Sequence, residues 1–139
     1  MKKRFILYKR RDLKTGLKFD IYDGDIENSG NCISILEEDV FVIEPVFYKV
    51  IDNYANYGHW GKHVLDHDKK NEMILELYEY AGFLVNKIEM EYYPGLNKNN
   101  FGKIYSDINK NRKKIILFIN SISDWIKNTK NKFLTISGI

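Results

Sequence analysis

The chain has 139 residues, of which 44% are hydrophobic and 29% are charged, and its formal net charge is +3. This size and composition predict one globular domain over residues 1–139 and exclude a disordered chain. A membrane span is excluded as well, because no run approaches the roughly 18 consecutive apolar residues that it needs. The N-terminal apolar run, residues 5–8, is too short for a secretory signal, and Cys32 has no partner for a disulfide. We therefore expect a soluble cytoplasmic protein.

The first part of the chain has the alternation that is typical of strands. Residues 3–11 and 17–22 alternate apolar and polar side chains, and turn-forming residues separate them. This pattern predicts an N-terminal hairpin. Residues 32–36 predict a short third strand, in which we expect Cys32 to be a buried structural thiol.

Beyond the third strand, apolar residues recur every three or four positions, which predicts an amphipathic helix ending near Gly58. Pro45 conflicts with a continuous helix, because proline in a helix interior costs about 3 kcal/mol. Two arrangements remain open: Pro45 lies in the first turn of a helix that starts near Glu44, or a helix that starts at Asp39 is kinked. Residues 55–68 predict a glycine-punctuated loop.

The rest of the chain predicts two more helices and a strand. The helices are expected at about 68–88 and about 101–130, and the polar stretch 109–114 can divide the second of them. Residues 133–136 predict a final strand that returns to the sheet. Strands and helices lie in separate blocks. This order predicts an α+β fold, with an antiparallel sheet of three to four strands packed against about three helices.

Charge is sorted along the chain. Residues 1–19 have a net charge of +7, residues 20–44 of −8 with no lysine or arginine, residues 45–97 of −3, and residues 98–139 of +7. Such sorting can place basic and acidic surfaces side by side, where they select partners. It can equally reflect opposite charges that pair across neighbouring strands.

The sequence offers little catalytic chemistry. His59, His63 and His67 recur every four residues, and on one helix they would share a face able to bind zinc. Glycines interrupt that segment, so we expect a loop and no metal site. Acidic turn residues such as Asp23 and Asp39 are expected to be ionised and exposed. No nucleophile motif or phosphate-binding glycine loop is present, so we expect no enzyme, no cofactor and no small-molecule substrate.

Two basic clusters, residues 1–14 and 110–114, can contact phosphates, and Phe5 and Tyr8 could stack on bases. The sequence pI of about 8.8 lies below the value of roughly 9 that is typical of dedicated binders. The acidic block 20–44 would also repel phosphate. Nucleic-acid binding is therefore the alternative hypothesis and not the one that we favour.

Two further segments of the chain are informative: Ile33-Ser-Ile-Leu-Glu-Glu-Asp-Val-Phe-Val-Ile-Glu-Pro-Val-Phe47 and Tyr57-Gly-His-Trp-Gly61. They resemble segments of the immunity proteins of bacterial polymorphic-toxin and contact-dependent growth inhibition systems. The resemblance implies a cytoplasmic antidote that binds the C-terminal domain of a cognate toxin and blocks its active site. Many such toxins are nucleases.

An inhibitor of a nuclease benefits from carboxylates that imitate the nucleic-acid backbone and from aromatic anchors. Nuclease antidotes are often acidic overall, whereas this chain is mildly basic, so the surface of residues 20–44 would have to carry the interaction. The acidic candidates are Asp20, Asp23, Asp25, Glu27, Glu37, Glu38 and Asp39. The aromatic candidates are Tyr22, Tyr54, Tyr57 and Trp60.

Overall fold

The computed structural model describes residues 4–9, 18–25, 31–52, 54, 61–86 and 101–138. The strands are β1 (Tyr8–Lys9), β2 (Lys18–Asp23), β3 (Cys32–Leu36), β4 (Lys62–Leu65) and β5 (Leu134–Ser137). The helices with complete bounds in these ranges are α1 (Glu37–Val40), α2 (Glu44–Val50), α3 (His67–Val85) and α4 (Phe101–Lys127).

The strands form one antiparallel sheet in the order β1-β3-β2-β5-β4. In the centre, Ile21 of β2 lies opposite Ile33 of β3 on one side and Ile136 of β5 on the other. The predicted α+β fold is confirmed, as is the return of the chain to the sheet as a C-terminal strand.

The predicted pairing of the first two strands is wrong. β1 pairs with β3, so the hairpin is formed by β2 and β3. The cause lies at Phe5, where the backbone turns with a φ of 59° and its N–H donates to the Asp39 carboxylate, N···O 2.8 Å. Asp39 belongs to α1, which directly follows β3. This bond therefore holds the N-terminal segment close to the end of β3.

The loop expected over residues 55–68 contains a strand. In β4, His63 and Leu65 point inward while Lys62 and Val64 are exposed, the alternation of a half-buried edge strand. Four residues are too few for a periodic pattern to show in the sequence.

One face of the sheet packs against the helices. The inward stripe of α4 consists of isoleucines, and burial of each contributes roughly 1.5–3 kcal/mol relative to exposure. All six isoleucines predicted for this stripe are buried: Ile104, Ile108, Ile115, Ile119, Ile122 and Ile126. Asn111 has non-helical angles (φ −132°, ψ 30°), so α4 is divided at the polar stretch as predicted.

The position of Pro45 decides between the two arrangements left open by the sequence. α2 begins at Glu44, so Pro45 lies in its first turn, where the missing N–H is not needed by the helix. α3 begins at His67 after the cap Asp66, whose side chain accepts from the backbone N–H of Lys69 at 2.9 Å.

Candidate functional site

The carboxylates of residues 20–44 separate into a buried and an accessible group. Asp25 and Glu38 are exposed and Glu37 is half-buried. Four others are at most 8% exposed, so the expectation of exposure is wrong for Asp23 and Asp39. The buried four are Asp20, Asp23, Asp39 and Glu44.

Asp23 fastens the end of β2 to the turn that precedes β5. Its carboxylate accepts from the backbone N–H groups of Lys130 and Asn131, both at 2.9 Å. The side-chain amides of Asn31 and Asn131 donate to it at 2.5 and 3.1 Å. Burial alone would raise the pKa of Asp23, but these hydrogen bonds outweigh it and the pKa is lowered. Burial also lowers the pKa of Lys70, whose ammonium group donates to the Asn131 carbonyl.

Asp39 holds the N-terminal segment in place. One carboxylate oxygen accepts from the Arg4 guanidinium and the other from the N–H of Phe5. The guanidinium of Arg4 also lies 3.6 Å from Asp107 and 4.5 Å from the centre of the Phe5 ring. Burial raises the pKa of Asp39, and the Arg4 charge offsets this only in part. A positive φ costs a bulky residue such as Phe5 about 1–3 kcal/mol, and these contacts maintain it.

Asp20 and Tyr22 lie on the sheet face opposite the isoleucine core. The Ser34 hydroxyl donates to Asp20 at 2.5 Å and the Tyr22 hydroxyl donates at 3.2 Å. The Lys18 ammonium is 3.9 Å from the same carboxylate. Opposite charges therefore pair within β2, at Lys18 and Asp20, and between the N-terminal segment and α1, at Arg4 and Asp39. Neither pair joins two neighbouring strands.

Tyr54 is 1% exposed and belongs to a buried aromatic group. Its hydroxyl donates to Glu44 at 2.6 Å, and its ring lies 5.5 Å from the ring of His63. Burial, followed by the Glu44 charge, raises the pKa of Tyr54. These contacts give Tyr54 a place in the core rather than on a surface.

The histidines do not share a helical face. His63 lies in β4, buried, and His67 lies exposed at the start of α3. Within the described ranges, no group of three or more histidine, cysteine, aspartate or glutamate side chains is placed to hold a metal ion. Cys32 is buried in β3, as expected for a structural thiol.

The outward face of α3 carries a row of acidic and apolar side chains that is not among the site residues predicted from the sequence. Asp68, Glu72, Leu75 and Glu79 are spaced four, three and four residues apart and all are exposed, Leu75 by 64%. We call these four residues the α3 stripe. Its signal is present in the sequence, because this spacing places the four side chains on one face of a helix.

The chain was compared with protein-family models, curated proteins and solved structures, and none of them matches. What the protein does must therefore be argued from its own residues.

In each basic cluster, one arginine is already bound within the chain. Arg4 is bound by Asp39, and the guanidinium of Arg112 donates to the Leu84 carbonyl at 2.8 Å. Exposed positive charge in the second cluster comes from three residues of α4: Lys110, Lys113 and Lys114.

Three predicted site residues lie outside the described residues: Glu27, Tyr57 and Trp60. The histidine His59 lies outside them as well. The same holds for most of the basic cluster 1–14. Among the helices in the described part of the chain, none has both the length and the apolar content that crossing a bilayer requires.

Taken together, the buried carboxylates accept hydrogen bonds from the chain's own donors. Among the described residues, the accessible carboxylates include those of α3 and a smaller set after β2 and in α1: Asp25, Glu37 and Glu38. Such groups can attract a cationic surface and pair with it.

Proposed function

We propose that the chain is a cytoplasmic immunity protein that binds a cognate toxin domain, a nuclease, and blocks its active site without chemistry of its own. The observation that carries the proposal is the α3 stripe, in which three exposed carboxylates surround an exposed leucine on a fixed helix. A nuclease site is built to attract phosphate, so an aligned row of carboxylates can compete for it.

The geometry of the stripe suits this role. With a rise of about 1.5 Å per residue, the 11 positions from Asp68 to Glu79 span about 16 Å along the helix axis. Met73, Leu77 and Leu84 anchor the opposite face of α3 in the core. A stripe on an anchored helix loses little conformational entropy on binding, which favours affinity.

The charge of the stripe remains accessible. Glu72 lies 3.5 Å from the Lys69 ammonium, but both side chains are partly exposed and such surface pairs contribute about 0–1 kcal/mol. Leu75 lies between the carboxylates, in the position of an apolar anchor within a polar rim. The cationic surface of the toxin would therefore need an apolar recess for this side chain.

The second accessible acidic set provides an internal comparison. Glu37 and Glu38 belong to the sequence segment that resembles immunity proteins, whereas the α3 stripe does not. Charge reversal in one set with the other intact separates the two surfaces. We expect Glu72→Lys/Glu79→Lys to weaken toxin binding by at least 100-fold and Glu37→Lys/Glu38→Lys to change it less than fivefold.

The test of the function is co-expression with the product of the gene immediately upstream. We expect that product to kill cells on its own, cells to survive when both proteins are made, and the two proteins to co-purify. A harmless neighbour, or survival without a stable complex, would contradict the proposal.

The alternative function, nucleic-acid binding through the basic clusters, is favoured by the exposed lysines of α4 but not by Arg4 or Arg112, which bind partners within the chain. It requires binding whose affinity falls steeply with salt. A mobility-shift assay at low and high salt distinguishes it from toxin binding.

A further inference from the structure

An apolar groove lies between the N-terminal segment and α4. Its volume is about 350 Å³, at the lower end of the range for ligand pockets. Phe5 and Phe118 form its floor, with their ring centroids 6.0 Å apart and exposures of 3% and 2%. Leu117 stands at the rim and is 68% exposed. The groove thus joins a buried aromatic floor to an accessible apolar side chain.

The floor of the groove is held in a fixed conformation at Phe5. Phe5 adopts its positive φ where Asp39 binds both its N–H and the neighbouring Arg4 side chain. A backbone fixed in this way has little conformational freedom to lose when the groove is filled.

The rim of the groove is positively charged. Lys114 lines it directly, and Lys110 and Lys113 extend the charge along the exposed face of α4. The nearby carboxylate of Asp107 is half-buried and lies 3.6 Å from the Arg4 guanidinium. An occupant must therefore offer apolar side chains to the floor and negative charge to the rim.

We propose that this groove docks an apolar segment of a partner protein that is flanked by aspartate or glutamate. Amphipathic helices are bound in this way, with apolar anchors in a groove and charges along its edge. The surface shares no residue with the α3 stripe, so docking here is independent of toxin binding.

The test uses two fluorescein-labelled amphipathic peptides with leucine and phenylalanine on one face, and either glutamate or lysine on the other. Binding to the full chain is followed by fluorescence anisotropy. We expect the glutamate peptide to bind at least tenfold more tightly than the lysine peptide. Leu117→Ser and Lys114→Glu should each weaken binding of the glutamate peptide at least tenfold. Val85→Ser, the control at an exposed apolar residue outside both surfaces (58% exposed), should change its affinity less than twofold.

Several results would overturn the proposal. Equal binding of the two peptides, no binding at millimolar concentration, or equal loss in Leu117→Ser and Val85→Ser would each remove it. A dimer in sedimentation that Leu117→Ser abolishes would assign the groove to a second copy of the chain. If a single-stranded oligonucleotide binds, and its binding depends on Lys114 and not on Leu117, the surface is assigned to nucleic acid. Toxin binding should persist in Leu117→Ser, so failure here is distinct from failure of the proposed function.

Discussion

Replacing Asp23 by asparagine should destabilise the fold far more than its place in an acidic segment suggests. The carboxylate accepts two backbone hydrogen bonds at 2.9 Å and two from side-chain amides at 2.5 and 3.1 Å. Hydrogen bonds to a charged group each contribute about 1.5–3 kcal/mol, and the contributions are not additive. The asparagine side chain keeps one accepting oxygen, and its NH₂ group would face N–H donors that the second carboxylate oxygen now accepts from. We therefore expect a loss of about 3 kcal/mol in the free energy of unfolding.

Urea denaturation measures this loss, with Asp52→Asn as the matched control. The Asp52 side chain is 84% exposed and lies 3.6 Å from Lys69, so its replacement should cost less than about 1 kcal/mol. A loss below about 1 kcal/mol for Asp23→Asn, equal to that of the control, would refute the claim that Asp23 fastens β2 to the turn before β5.

The same variant has a pH signature. The pKa of Asp23 is lowered in the folded protein, so its stabilisation is present above the unfolded value near 3.9 and is lost as the pH falls through the folded value. The difference in free energy of unfolding between the wild type and Asp23→Asn should be largest near pH 7 and should decrease below about pH 4. A difference that stays constant down to pH 2 would contradict this assignment.

Three further substitutions test the packing, each by urea denaturation. Tyr54→Phe removes the hydroxyl that donates a buried hydrogen bond to Glu44 at 2.6 Å, and should lower the free energy of unfolding by about 1–3 kcal/mol. An unchanged free energy of unfolding would mean that this bond contributes nothing. Gly24→Ala should cost at least about 1 kcal/mol, because Gly24 has a φ of +83° and a Cβ there would lie 2.8 Å from the Asn131 amide. Gly82→Ala should instead stabilise by about 0.5–1 kcal/mol, since Gly82 is within α3 and nothing lies within 4 Å of the added carbon. Destabilisation by Gly82→Ala would contradict that geometry.

The two long helices could be predicted from the sequence because their periodic patterns are long. α3 repeats its apolar stripe over 19 residues and α4 over 27, and the polar stretch within α4 marks its division at Asn111. β4 has four residues, and β1 pairs with a strand selected by the bond between Phe5 and Asp39. Strand alternation identifies which residues face inward but does not specify the neighbouring strand.

The candidate site was harder to predict because burial of a carboxylate depends on distant donors. Asp23 binds backbone N–H groups 107 and 108 residues further along the chain, and Asp39 binds Arg4 across 35 residues. Neither contact leaves a local sequence pattern. The α3 stripe, in contrast, follows from helical spacing alone, and its negative charge is less concentrated in the sequence than that of residues 20–44.

Titration of the toxin's nuclease activity with this protein tests the proposed function most directly. We expect activity to fall linearly and to vanish at one equivalent of wild-type protein, and Glu72→Lys/Glu79→Lys to leave most of it at the same ratio. The Glu37→Lys/Glu38→Lys variant should inhibit like the wild type. Full inhibition by the α3 variant would contradict the assignment of the interface to α3, and persistence of toxin activity at excess wild-type protein would contradict the proposed function itself.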